Sequence, residues 1–371
     1  MSNAKQILKN ILRTASGLPG VYQLYRLPSL HAAPVHINDA RRRLEAISPR
    51  PPQRTNAPSF KYEADPNIEI SIILPCYNVE DYVGDCIRSI LVQKTSHTFE
   101  IIAVNDGSTD GTLSVLRSLA KDDSRIVIID QHNKGLAGAR NTGVDNMRGQ
   151  YLLFVDSDDA LAPEYLEHMM HALRNGDCDY VSSSYTYVDE DGKPMFREYP
   201  RTLDTAWGRL FPRTIWQRLR FPEGYLFEDT LQAFCITPRY RELAIKDFGY
   251  LYRYRSSSIS HALNVKSIDT YWIVEELLHD CRKDSVPFDQ RLYDTTIHHL
   301  GQLMYWRTRN FPPEQQQILF SVCCDLLGSI PEFSRMRTTL TGCEKDVERS
   351  LRTGNYRLWK ASCLFLNLQT L

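Results

Sequence analysis

The sequence predicts an α/β fold of Rossmann-like type: a mixed, mostly parallel sheet flanked by helices, followed by a helical C-terminal region. Three observations carry this. From residue 69 onward short apolar runs alternate with stretches of helical period, and strands that alternate with helices pair in parallel through crossovers. The run Tyr151-Leu152-Leu153-Phe154-Val155 is continuously apolar, as a strand buried on both faces must be, and it ends abruptly in Asp156-Ser157-Asp158-Asp159. Further on, Ile318, Leu319, Val322, Cys323, Leu326 and Leu327 recur on one helical stripe instead.

The chain has 371 residues, 42% apolar and 24% charged, enough for one substantial core and a second, smaller unit. Its net charge of −1 conceals an asymmetry: residues 1–61 hold ten Lys/Arg against two Asp/Glu, leaving 34 against 43 in residues 62–371. Residues 1–48 read as a basic, amphipathic arm. Ile7, Leu8, Ile11 and Leu12 fall on one helical arc and Lys5, Lys9 and Arg13 on the next, a pattern suited to an anionic membrane surface. A short helix docked on the body, or a disordered basic tail, fits the same residues. Residues 49–66 contain Pro49, Pro51, Pro52, Pro58 and Pro66 and read as an extended linker.

The α/β domain is expected over 67–262, with strands at 70–74, 100–104, 125–129, 151–155 and near 179–183. Helices are expected at 82–92, 112–119, 136–147 and 163–173. In the last of these Leu166, Met169, Met170 and Leu173 share one face, the signature of core. Beyond Tyr187 the order is less regular, and 263–371 is expected to be helical.

No apolar stretch approaches the roughly 20 residues that span a bilayer, and no secretory leader pattern is present. The nine cysteines are odd in number and lack CxxC spacing, as reduced core residues of a cytoplasmic protein would be. Neither a GxxxxGK[ST] phosphate loop nor a GxGxxG fingerprint follows the first strand, so phosphates would be handled by metal and side chains.

Parallel strands bring their carboxyl ends to one edge, where open α/β sheets bind ligands. The first strand ends in Pro75-Cys76-Tyr77-Asn78, which offers an aromatic ring to a nucleobase. The second ends in Asn105-Asp106-Gly107-Ser108-Thr109-Asp110-Gly111, where Asp106 can accept from a base N–H; Asp110 also suits a helix cap. After the third, small residues in Asn133-Lys134-Gly135-Leu136-Ala137-Gly138-Ala139-Arg140-Asn141 permit close backbone approach, and Arg140 offers a cation to a diphosphate. The acidic strand end suits a divalent cation, Mn²⁺ or Mg²⁺, at the mouth of a pocket. It equally suits an acidic loop that closes the strand and caps the next helix, and residue types alone leave both readings open.

With these blocks in this order, the chain resembles the family 2 glycosyltransferases of the GT-A fold. The resemblance is close over 70–175 and looser at Arg220-Phe221-Pro222-Glu223-Gly224-Tyr225-Leu226-Phe227-Glu228-Asp229 and at Tyr252-Arg253-Tyr254-Arg255. It implies that Pro75, Tyr77 and Asp106 hold the nucleobase, usually uracil of a UDP-sugar. Asp156 would face the ribose or sugar, and Asp158 would bind the metal that bridges the diphosphate. Asp229, preceded by Glu228, would be the base that lets a hydroxyl displace the nucleoside diphosphate with inversion.

Many relatives have Trp-Asn-Lys-Leu where this chain has Trp207-Gly208-Arg209-Leu210, so the acceptor-side loop is expected to differ. Trp207 and Tyr225 are candidates for stacking on acceptor sugars, with burial the alternative. His261 is a candidate second metal ligand, or else a surface histidine. The implied activity is metal-dependent hexosyl or N-acetylhexosaminyl transfer to a saccharide or lipid-linked saccharide in surface polysaccharide synthesis, such as capsule or lipopolysaccharide. Nucleic acid is not an expected partner. The alternatives are a non-catalytic nucleotide-sugar-binding protein and a sugar-1-phosphate nucleotidyltransferase, although the latter would carry a glycine-rich basic loop where Pro75-Cys76-Tyr77-Asn78 stands.

Overall fold

The computed structural model describes residues 20–52, 59–199, 205–255 and 264–370. Among the described residues two short α-helices come first, α1 (Val21–Arg26) and α2 (Ala40–Ile47). An alternating stretch follows: β1 (Ile70–Cys76), α3 (Val83–Leu91), β2 (Phe99–Asp106), α4 (Thr112–Asp122), β3 (Ile126–Gln131), α5 (Gly135–Asn146) and β4 (Tyr151–Phe154). Next are β5 (Ala160–Leu161), α6 (Tyr165–Asn175), β6 (Tyr180–Val188), β7 (Pro194–Tyr199), β8 (Arg209–Pro212) and β9 (Glu242–Arg253). The helices α7 (Asp269–Lys283), α8 (Gln290–His298), α9 (Met304–Thr308), α10 (Pro313–Gly328), α11 (Cys343–Thr353) and α12 (Tyr356–Thr370) complete the order.

The strands form one mixed sheet in the order β3-β2-β1-β4-β8-β6-β9-β5, with β7 on β6. Its first half is parallel, β1 pairing with both β2 and β4 and β2 with β3. Every residue of β1 and β2 is buried, which is why apolar residues dominate both without alternation; the polar residues Ser71 and Glu100 inside them satisfy each other, Ser71 Oγ donating to Glu100 at 2.6 Å. Helix α5 lies so close to β1 that a Cβ on Gly143 would stand 2.3 Å from Ile73 Cγ2. The chain runs outward from β1 to β3 and then returns to β4 on the other side of β1. That reversal puts the carboxyl ends of β1, β2 and β4 around a switch point, the usual ligand position of such sheets.

The strand expected near 179–183 is β6, but it does not extend the parallel set. The four-residue strand β8 lies between β4 and β6, antiparallel to both, and the 12-residue β9 pairs in parallel on the far side of β6.

Two compact units make up the chain: Pro52–His261, and Met1–Pro51 together with Ala262–Leu371. The described part of the expected arm therefore shares a core with the C-terminal helices. Leu44 is fully buried, Trp272 Nε1 donates to the Ser48 carbonyl at 3.1 Å, and the Tyr22 hydroxyl donates to Asp346 at 2.8 Å. Ion pairs accompany the attachment, Arg26 with Asp346, Arg41 with Glu275, Arg43 with Glu314 and Arg50 with Glu276. The amphipathic stretch from Lys5 to Arg13 lies outside the described residues. Among the described residues no helix is long and apolar enough to cross a membrane.

Candidate active site

The loops after β1 and β2 are stapled to each other. Asn78, at φ 50°, accepts from the Thr109 backbone N–H at 2.8 Å and donates its own N–H to Ser108 Oγ at 3.1 Å. Asp110 caps the next helix by accepting from Thr112 N at 3.0 Å and also takes the Glu80 N–H at 3.1 Å. These bonds hold the buried Pro75 and the half-exposed Tyr77 ring beside the β2 end. There Asp106 is buried, and its Oδ1 accepts from Gln131 Nε2 at 2.6 Å and from Lys134 N at 2.9 Å. Gly107, at φ +71°, makes the turn possible: a Cβ would stand 2.9 Å from the Asn133 nitrogen.

The three carboxylates after β4 have separate fates. Asp156 remains partly exposed, while its backbone N–H donates to the Tyr250 hydroxyl at 3.2 Å. Asp158 forms an ion pair with Arg255, and burial together with Asp156 raises its carboxyl above the usual range despite Arg255. Asp159 points inward. It accepts from Tyr250 OH at 2.7 Å and from Arg253 N at 2.8 Å, and burial, then Asp158 and Asp156, push it well up. Asp159 thus ties the acidic loop to β9, a structural duty the residue pattern did not separate from those of its neighbours.

Arg140 corrects an expectation. Rather than facing a diphosphate, its guanidinium is almost wholly buried, donating from Nη2 to Asp156 Oδ1 at 2.8 Å and from Nη1 to Glu228. Burial works against its charge, but Asp156, Glu228 and Asp229 outweigh it and hold the guanidinium above its ordinary value. The same helix anchors the whole 220–228 loop. Asn141 donates to the Phe221 carbonyl at 2.9 Å and accepts the Phe221 N–H at 2.8 Å, and Asp145 accepts from Arg220 Nε at 2.9 Å. Spaced by four, Asn141 and Asp145 lie on one face of α5, a periodicity that could have flagged them.

Glu228 and Asp229 open a tight helical segment, a 3₁₀ turn over Glu228–Thr230 that passes into a π-turn over Gln232–Ile236. Glu228 is buried, and burial raises its carboxyl although Arg140 opposes the shift. Asp229 keeps partial exposure.

Trp207 is 9% exposed, stacked on Tyr250 at 4.5 Å and set edge-on to Tyr185 at 5.1 Å. Its ring is core, not a sugar platform, because neighbouring aromatics already occupy it; Tyr225 is buried as well. His261 lies outside the described residues. Arg253 and Arg255, whose roles the sequence left open, both lie over the Tyr82 ring, at 5.4 and 5.0 Å.

Among the described residues no three His, Cys, Asp or Glu side chains form a metal cage. Magnesium and manganese commonly take one or two carboxylates and complete their shell with phosphate oxygens and water. Asp158, with an oxygen donor and excess negative charge from Asp156, fits that type of site.

Comparison with known proteins agrees with this geometry. The family model for Glycosyl transferase family 2 matches residues 71–239. Glycosyltransferase GlyA of Streptococcus pneumoniae serotype 4 is 32% identical over 227 residues, 53% of this chain and 32% of the relative. The putative teichuronic acid biosynthesis glycosyltransferase TuaG of Bacillus subtilis is 37% identical over 137 residues, 36% of this chain and 54% of the relative. The chain thus spans about half, or less, of the length of these curated relatives. The crystal structure of S. aureus TarS 1-349 in complex with UDP-GlcNAc superposes with a TM-score of 0.65 at 17% identity, covering 81% of this chain and 92% of that one, which establishes the GT-A fold.

Proposed function

Because the chain belongs to glycosyl transferase family 2, we propose that it moves a sugar from a nucleotide-sugar, of the UDP type, to a hydroxyl of a saccharide or lipid-linked saccharide during surface polysaccharide synthesis. The observation that carries this reading is the Asp156–Arg140–Glu228 network. It ties the carboxylate after β4 to the loop that presents Asp229, so that donor-side and acceptor-side groups keep a fixed relation. Pro75, Tyr77 and Asp106 bind the base, Asp106 being fixed in orientation by Gln131 and Lys134. Asp156 faces the ribose or sugar.

Asp229 is the base. It takes the proton of the acceptor hydroxyl as that oxygen bonds to the anomeric carbon, and the bond from this carbon to the diphosphate oxygen breaks, inverting the centre. Proton acceptance of this kind contributes roughly 10²–10⁴-fold. Glu228 is less suited to the task because its carboxylate is committed to Arg140. A divalent cation held by Asp158 would neutralise the charge gathering on the leaving diphosphate. His261 is a further ligand candidate.

Screening UDP-sugars for thermal stabilisation and for metal-dependent hydrolysis tests the assignment. One sugar should stand out above UDP itself. Failure of every nucleotide-sugar, with or without Mn²⁺, would reject it.

A further inference from the structure

Helices α1, α11 and α12 carry a surface that sugar transfer does not use. Leu24 and Leu27, 71% and 55% exposed and one helical turn apart, form an apolar ridge on α1 and the 3₁₀ turn Leu27–Ser29 that follows it. Tyr25 beside them is exposed and its ring packs 5.7 Å from Phe365, next to the exposed Leu364 on α12. On the other side Arg26 pairs with Asp346, next to the exposed Lys345 on α11.

Charge on these two helices is sorted by sign. Their exposed charged residues are all basic: Lys345, Arg349, Arg357 and Lys360. Their acids are turned inward. Asp346 is buried against Arg26 and Tyr22, Glu348 is buried against Tyr293 and Arg352, and Glu344 is half-buried. Exposed leucines and a tyrosine bordered by lysine and arginine, without an exposed acid among them, match the interface of an anionic bilayer, where apolar side chains enter the headgroup boundary and cations meet lipid phosphates. A soluble polyanion would have no use for the leucine ridge.

We propose that the face made by Leu24, Leu27 and Leu364 with Lys345, Arg349, Arg357 and Lys360 docks this protein on anionic membrane surfaces. This goes beyond the expectation for residues 1–48, since all four cations lie on the C-terminal helices, and it stands independently of the transfer reaction.

Flotation of the full-length protein on phosphatidylglycerol–phosphatidylcholine vesicles, against phosphatidylcholine alone, tests it. Binding should require the anionic lipid and weaken with salt. Each basic residue contributes roughly fivefold, so reversing all four should cut vesicle affinity by at least about a hundredfold. Leu24→Ser/Leu27→Ser should weaken it at least about tenfold. All these side chains are exposed, so the melting temperature should stay unchanged and report folding separately. Three results would overturn the proposal: no binding by the wild-type chain, unaltered binding by either variant, or loss of binding only on removal of residues 1–19. Equal retention on a soluble polyanion such as heparin by wild type and the leucine variant, without vesicle binding, would assign the surface to that other class.

Discussion

Arg140 and Glu228 form a buried ion pair between the middle of α5 and the start of the 3₁₀ turn Glu228–Thr230, and the same guanidinium holds Asp156 at 2.8 Å. A charge this deep persists only when matched, so one arginine fixes the positions of two carboxylates from distant parts of the chain. The same guanidinium also interacts with Asp229, the residue that follows Glu228.

Asp229→Asn should therefore keep UDP affinity while slowing transfer by roughly 10²–10⁴-fold, about 3–5 kcal/mol in the barrier. The amide keeps size and some hydrogen bonding and loses only proton acceptance. Steady-state rates with UDP titration of the same variant make the comparison. Near-wild-type turnover would shift the role to Glu228.

Arg140→Met should destabilise the fold by about 3–5 kcal/mol, because Glu228 is left buried without its partner. The double variant Arg140→Met/Glu228→Gln should recover a good part of that loss, since the remaining group is neutral. Urea unfolding curves of the three proteins decide it, and a double variant no more stable than the single one would show that the pair does not govern stability here.

UDP should bind tightly only with a divalent cation, and Asp158→Ala should remove this dependence. Calorimetric titration with and without Mn²⁺ measures both. The metal assignment fails if wild-type affinity is the same in the two buffers or if the variant responds as the wild type does.

Asp280 on α7 is pushed up to about 6 by burial, with Glu276 and Asp284 adding to the shift. An acid whose folded pKa exceeds its unfolded value of about 3.9 binds its proton more tightly when folded. It stabilises the fold below the unfolded value, and that contribution disappears as pH rises through about 6. Asp280→Asn should then raise the melting temperature near neutral pH, by an amount on the order of 2 °C, and change it little in acid. Melting curves of both proteins across this window check the sign, and an equal shift at both ends would refute the titration.

The sequence by itself determined the parallel half of the sheet and its site edge. Strands buried on both faces are dominated by apolar residues, and the abrupt change to Asn105-Asp106 or to Asp156-Ser157-Asp158-Asp159 marks the carboxyl end of each. Strands β8 and β9 were not legible in this way. Four residues, Arg209-Leu210-Phe211-Pro212, become a central strand only because β4 and β6 offer it edges, and β9 mixes charged and aromatic residues without a clean alternation. Side-chain duties divided along the same line. That Asp156, Asp158 and Asp159 are carboxylates was plain, but which faces the site and which is locked to Tyr250 and Arg253 depended on the path of β9. Arg140 was likewise legible as a cation near the site, whereas its partner was chosen by a loop some 80 residues later that α5 holds against the sheet. Periodicity records how much of a residue is buried, while the identity of its neighbour is a property of tertiary packing alone.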